Sequence, residues 1–392
     1  MAYRFEKLSG VFKLLSEVEL VFGLWSILLL ILFSILQGPQ FSYSYLVSLN
    51  FKEVLFVFVI MSIASTKAIV ECAQLILAKF TTMIPLRFEF AFFVAALAIA
   101  PMLGSLITEP AAMAVSAIIL SKGIFNKNIS LNFKYAMLSL LFVNISIGGT
   151  LTHFAAPPIL IVANKWGISS PLIFRHLGYK AILAIFLSTL MYLLFFRKEL
   201  NQISIDKKIF NDRSSPIWLI LVHLILLILS VVFAHQPWPL VAVFITFFVI
   251  LKITPDHQAH YEIKDGLKVS FFMWGLIVIG GMQAWWLKSI ISSLSESKMF
   301  FGATLLTAIT DNAALTYLGS VSELSVNLRW ALLSGAVAGG GLTIIANAPN
   351  PIGLAYLKDF FALRTVSMLE ILKWSIIPTL ISILCFMLLP NL

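Results

Sequence analysis

Two acidic residues, Glu109 and Asp311, stand in the middle of strongly apolar runs, each directly after a threonine. An acid at membrane depth costs about 2.5–3.5 kcal/mol even on insertion scales, and such residues mark ion pathways or proton relays. Removal from water favours the protonated acid, whereas a bound cation favours the carboxylate. A carboxylate so placed takes either a proton or a metal cation, and that competition is the physics of exchange. Neutral oxygens stand close in sequence: Thr310, Asn312, Thr343, Asn347 and Asn350 around Asp311, and Thr108, Thr150 and Thr152 around Glu109. Hard cations prefer such oxygen shells. Asp311 is therefore expected as the main cation and proton site, with Glu109 as its pseudo-symmetric partner. Lys67 and Glu71, spaced i to i+4, form an intramembrane pair suited to support or relay. His153 could titrate near neutral pH, although a lone histidine there is more often a hydrogen-bonded structural residue. A Glu109–Lys67 bridge is the structural alternative for the first acid.

These residues need a membrane around them. The chain has 392 residues, 60% of them hydrophobic and only 11% charged, with a mean hydropathy well above zero. Such numbers belong to an all-α polytopic membrane protein, and without strand alternation a β-barrel is disfavoured. Spans are expected near 20–36, 53–80, 134–164, 178–196, 217–233, 238–252, 267–294, 330–357 and 373–390. Segments near 88–121 and 299–320 are apolar but interrupted by polar residues, and read as re-entrant hairpins. The net charge of +9 sits in short loops, which is a topological pattern and no sign of nucleic acid. Counting basic loops puts the N-terminus in the cytoplasm and the C-terminus outside; Lys165, Arg175 and Lys180 then fall on the outer face, against the rule. The N-terminal stretch reads as a retained lead-in. Cys72 and Cys385 lie in apolar segments, so neither a disulfide framework nor a cysteine metal site is expected.

Two polar signatures recur in the same order. SLITEPAAM, Ser105 to Met113, parallels TAITDNAAL, Thr307 to Leu315, and GGTLTHFAAPP, Gly148 to Pro158, parallels GGGLTIIANAP, Gly339 to Pro349. Each copy follows a long helix, in which Lys67 roughly matches Gln283. The chain then divides into a lead-in with the first span, 1–49; a first repeat, 50–200; a connecting loop with two spans, 201–265; and a second repeat, 266–392. Three crossings per unit make the copies inverted, a mark of secondary transporters. Gly148, Gly149 and Pro157, like Gly339, Gly340, Gly341 and Pro349, argue for broken helices. Non-helical chain at membrane depth survives only inside protein or along a cavity, and its free carbonyls can coordinate a cation. Gly335 and Gly339 also form a GxxxG pair, and small residues of that kind commonly serve close helix packing.

On ITDNAALTYLG and AGGGLTIIANAPNPIG, with TEPAAM and GGTLTHFAAPP, the chain resembles the ion transporter superfamily, which includes NhaD-type sodium/proton antiporters, arsenite pumps and divalent-anion symporters. Within it, the chain is most similar to a sodium/proton antiporter family, over about residues 50–392. The resemblance implies an inverted-repeat fold with two hairpins meeting two broken helices, usually in a homodimer in the lipid bilayer of the cell membrane. It implies transport of sodium or another monovalent cation against protons, with no cofactor and no resident metal. Where divalent-anion symporters carry Ser-Asn-Thr at the hairpin tips, this chain has Thr108-Glu109-Pro110 and Thr310-Asp311-Asn312, and acidic tips repel dicarboxylates. Coupled transport of an organic acid or oxyanion is the alternative. An intramembrane enzyme is disfavoured, since HExxH, GxSxG and paired-aspartate signatures are all missing.

Overall fold

The computed structural model describes residues 18–49, 51–210, 215–234, 236–257, 263–282 and 294–392. The N-terminal lead-in before residue 18 and Gln283 lie outside the described residues. Within them the elements are helices, and no strand occurs. Helices Phe88–Ile107, Leu131–Leu151, Ser170–Phe195 and Met368–Leu388 are each long and apolar enough to cross a membrane, and Leu20–Leu36, Ile217–Val232, Pro237–Ile253 and Gly266–Gly280 are shorter apolar helices. The core is continuous apolar packing among Phe92, Phe133, Phe142, Leu97, Ile60 and their neighbours.

Three expected spans are interrupted. The segment expected as one helix over 53–80 is two, Val54–Ala64 and Lys67–Met83, bent by 65°. The bend falls at Ser65 and Thr66, whose hydroxyls bond back to the carbonyls of Ser62 (3.2 Å) and Ile63 (2.8 Å), local bonding that competes with the helix ladder. Leu131–Gly148 passes into one tight turn, Gly149–Leu151, before helix Pro157–Trp166 begins with proline in its first turn. Val326–Gly339 ends at Gly340, and helix resumes at Asn350–Leu357. Both breaks fall at the glycine clusters, where helix propensity is weakest.

The two hairpin segments also break where the sequence suggests. Ala100–Ile107 ends at Thr108, and Glu109–Leu120 starts at once and packs back against it. Glu296–Thr307 is followed by a short turn and by Asn312–Val321. The first arm differs from a half-crossing in length, because Phe88–Ile107 runs for 20 residues. It gets through Pro101 by way of a π-helical turn, Ala95–Ile99. Proline removes the N–H that would meet the carbonyl four residues earlier. That carbonyl, Leu97 O, accepts instead from the buried Asn144 amide at 2.6 Å.

Candidate functional site

Each break exposes backbone groups that need partners, and the partners bring the polar residues together. At the first break, Ser105 donates to Gly148 O (2.7 Å) and accepts from Leu151 N (2.9 Å), while Thr152 donates to Ser105 O (2.7 Å). The first hairpin arm is thus stitched to the first broken helix. At the second, the Asn350 amide donates to Gly340 O (2.8 Å) and Thr343 O (2.9 Å), and Thr343 donates to Ala308 O (2.7 Å) beside the second hairpin turn. The backbone N–H of Asn312 donates to Ala346 O at 3.1 Å.

The two broken helices touch each other as well. Ser146 donates to Val337 O at 2.7 Å, and a Cβ at Gly340 or Gly341 would collide with Ser146 or with the Val143 backbone. Gly335 and Gly339 instead face the carbonyls of Phe300 and Thr304 on helix Glu296–Thr307. The glycines therefore divide into two groups: Gly335 and Gly339 permit packing within the second half, and Gly340 and Gly341 permit contact between halves.

Glu109 lies at this crossing and is fully buried. Its Oε2 accepts from the Asn347 side-chain amide at 2.9 Å, joining residues 238 positions apart. Its Oε1 is buried without a hydrogen-bond partner, and a Cβ on Gly149 would collide with it. The Glu109–Lys67 bridge does not form: Lys67 pairs with Glu71 at 3.8 Å, and Glu71 accepts from Ser215 N at 3.0 Å. A buried acceptor left unpaired costs about 1–3 kcal/mol, and more when charged. Here the orphans are grouped. The side-chain oxygens of Asn312, Asn347 and Asn350, and the hydroxyls of Thr108 and Thr307, are likewise buried and without partners. Among the described residues no three His, Cys, Asp or Glu side chains converge, so any cation held here meets neutral oxygens and few charges.

Asp311 is used differently. Its Oδ1 accepts from Ala313 N (2.8 Å) and Ala314 N (3.0 Å), capping helix Asn312–Val321. It is nearly buried and lines an apolar cavity of about 430 Å³ with Phe22, Leu276 and Ile345. The Asp311 and Glu109 carboxylates are near enough to interact electrostatically. Thr108 opens onto another cavity, of about 190 Å³, beside Ser65 and Tyr356.

Other sequence candidates lie elsewhere or are committed locally. Thr310 is exposed, donates to Leu306 O at 2.8 Å and lines the same cavity as Asp311. Thr150 donates to Ile147 O at 2.6 Å. His153 shares a 2.7 Å hydrogen bond with Ser170. Ser105, Ser146, Asn144 and Thr307 were not singled out by residue type, although Ser105 and Thr307 open the two repeated motifs and Ser146 lies two residues before Gly148.

Among family models, the one described as "Putative Na+/H+ antiporter" matches residues 1–389. No curated protein matches the chain in sequence. The match spans nearly the whole chain, which therefore belongs to this family of ion-transporting membrane antiporters.

Proposed function

We propose that this member of the sodium/proton antiporter family exchanges a monovalent cation for protons at one shared site, with Glu109 carrying the competing charges. The observation that carries the reading is Glu109 Oε1, a fully buried carboxylate oxygen with no partner, set where two broken helices cross. A proton on that oxygen neutralises the acid. A cation can take its place with the side-chain oxygens of Asn312, Asn347 and Asn350 as neutral ligands, and Thr108 and Thr307 as further donors. Asp311 adds negative field while holding its own helix, so its role is to attract the cation and keep the tip in place. Thr150, Thr152 and Thr343 hold the breaks in shape, their hydroxyls bonded to nearby carbonyls.

Residues 50–200 and 266–392 act as inverted halves, with the hairpins re-entrant and their tips near the membrane midplane. The halves rock to open the site to each side in turn, using the cavities beside Thr108 and Asp311. Support comes from the polar links between halves at Glu109–Asn347 and Ser146–Val337. The basic loops favour a cytoplasmic N-terminus and an outer C-terminus in the cell membrane, and the family resemblance favours a homodimer. The anion alternative has weaker support, because Ala313 N and Ala314 N, which an anion would seek, already bind Asp311.

The test is dissipation of a proton gradient in everted vesicles on adding sodium, lithium or potassium over a range of pH. A cation-driven response is expected. No response to any of the three would end the cation reading, and gradient-driven uptake of an organic acid would support the alternative.

A further inference from the structure

Far from Glu109 in sequence, a polar cavity of about 370 Å³ lies between helices Ser170–Phe195, Glu296–Thr307 and Val326–Gly339 and the end of Met368–Leu388. Its size suits a small molecule better than a bare ion. Lys180 lines it and is only 4% exposed. Its Nζ donates to Asn391 Oδ1 (2.9 Å) and Phe386 O (3.3 Å), both neutral acceptors on residues that also line the cavity. A buried ammonium without a carboxylate partner is costly unless a counter-charge arrives.

Glu296 and Asn327 line the cavity from other helices, and His176 lines it one turn before Lys180 on the same helix. Glu296, exposed at the rim, takes a 2.7 Å hydrogen bond from Asn327 on Oε1, and its Oε2 has no partner among the described residues. His176 stacks flat on Trp330, with centroids 4.0 Å apart and planes 10° apart. Its Nδ1 donates to Leu172 O at 3.0 Å, which leaves Nε2 of the neutral ring as an acceptor. The helix Ser170–Phe195 thus presents a buried positive charge with an imidazole acceptor one turn away, and helix Glu296–Thr307 presents a carboxylate at the rim.

We propose that this cavity binds a zwitterion, with an oxyanion on Lys180 and an ammonium group against Glu296: the chemistry of phosphoethanolamine, as a lipid headgroup or free in solution. Binding there gives a reason for Lys180, a basic residue that the expected topology leaves on the outer face. The site is separate from the Glu109 cluster, and its test does not depend on transport.

The purified full chain, in detergent, is offered equimolar phosphoethanolamine and phosphoglycerol lipids, and retained lipid is read by native mass spectrometry. Phosphoethanolamine lipid should be retained about tenfold more, the factor of one good charge contact. Lys180→Met should lose both lipids, and Glu296→Gln should remove only the preference. In a parallel arm, stabilisation against heat by free phosphoethanolamine, beyond that of inorganic phosphate, would assign the site to a soluble ligand. Equal retention of the two lipids by the parent protein, with no stabilisation by free phosphoethanolamine, would overturn the proposal. So would unchanged retention in Lys180→Met. Should Lys180→Met fail to fold, Glu296→Gln at the exposed rim decides: loss of the preference supports the site, and a kept preference overturns it.

Discussion

The two hairpin tips share a threonine-acid step and use the acid in opposite ways. At the first tip, Thr108 takes φ 77°, an uncommon conformation for a non-glycine residue, and helix begins on Glu109 itself. Glutamate there is a helical residue with a long side chain, and it reaches across to Asn347. At the second tip, Asp311 keeps extended backbone, φ −97°, just before its helix, where a short acid caps well. One methylene and one position along the chain separate a carboxylate offered to the other half from one spent on its own helix. Equivalence in sequence therefore does not make the two acids equivalent in chemistry. In the proposed exchange the buried acid with an unpartnered oxygen takes the competing charges, and the capping acid supports it.

The largest effect that sharpens this contrast is on transport. Glu109→Gln should abolish cation-driven gradient dissipation with the protein still inserted, whereas Asp311→Asn, which can still cap, should reduce it by about tenfold, as expected from losing a nearby charge contact. Equal losses would erase the distinction. Next, Asn347→Ala removes a hydrogen bond to a charged group, worth about 1.5–3 kcal/mol. It should raise the cation concentration for half-maximal exchange by at least about tenfold. An unchanged half-saturation would show that Oε2 is not part of the site.

The glycines give a smaller test of the same split. Gly149→Ala pushes on the movable Glu109 carboxyl, whereas Gly339→Ala pushes on the Thr304 backbone carbonyl. The first should impair exchange at nearly native melting temperature, and the second should lower the melting temperature. The reverse pattern would assign Gly149 to packing. Smallest is the cap itself: Asp311→Ala should destabilise the protein by about 0.5–2 kcal/mol and Asp311→Asn by less, measured by thermal unfolding in detergent. Equal destabilisation would mean that the charge, and not the cap, holds the helix.

Much of this was legible in the sequence. The paired motifs locate both tip breaks, and the glycine clusters locate both helix breaks. The sequence points to Asp311 as the main site, with no basic residue nearby in its own segment to pair with it; its place just before Asn312-Ala313-Ala314 is also a helix start that favours a capping aspartate, the bond the structure shows. Thr310 sits before the helix and spends its hydroxyl on Leu306 O in the preceding turn. The Glu109–Asn347 link was not legible, because its residues lie 238 positions apart and it depends on the room that Gly149 leaves for the Glu109 side chain and Gly340 for those of Ser146 and Asn312. Nor was Asn144 singled out, although Pro101 within an apolar run implies a carbonyl in need of a donor.

The claim that Glu109 is where cation and proton compete is tested most directly by proton release. Sodium added to purified protein in weakly buffered solution, at a pH where the parent site is protonated, should release protons from the parent protein and from Asp311→Asn, and none from Glu109→Gln. The same release from Glu109→Gln as from the parent would contradict the account.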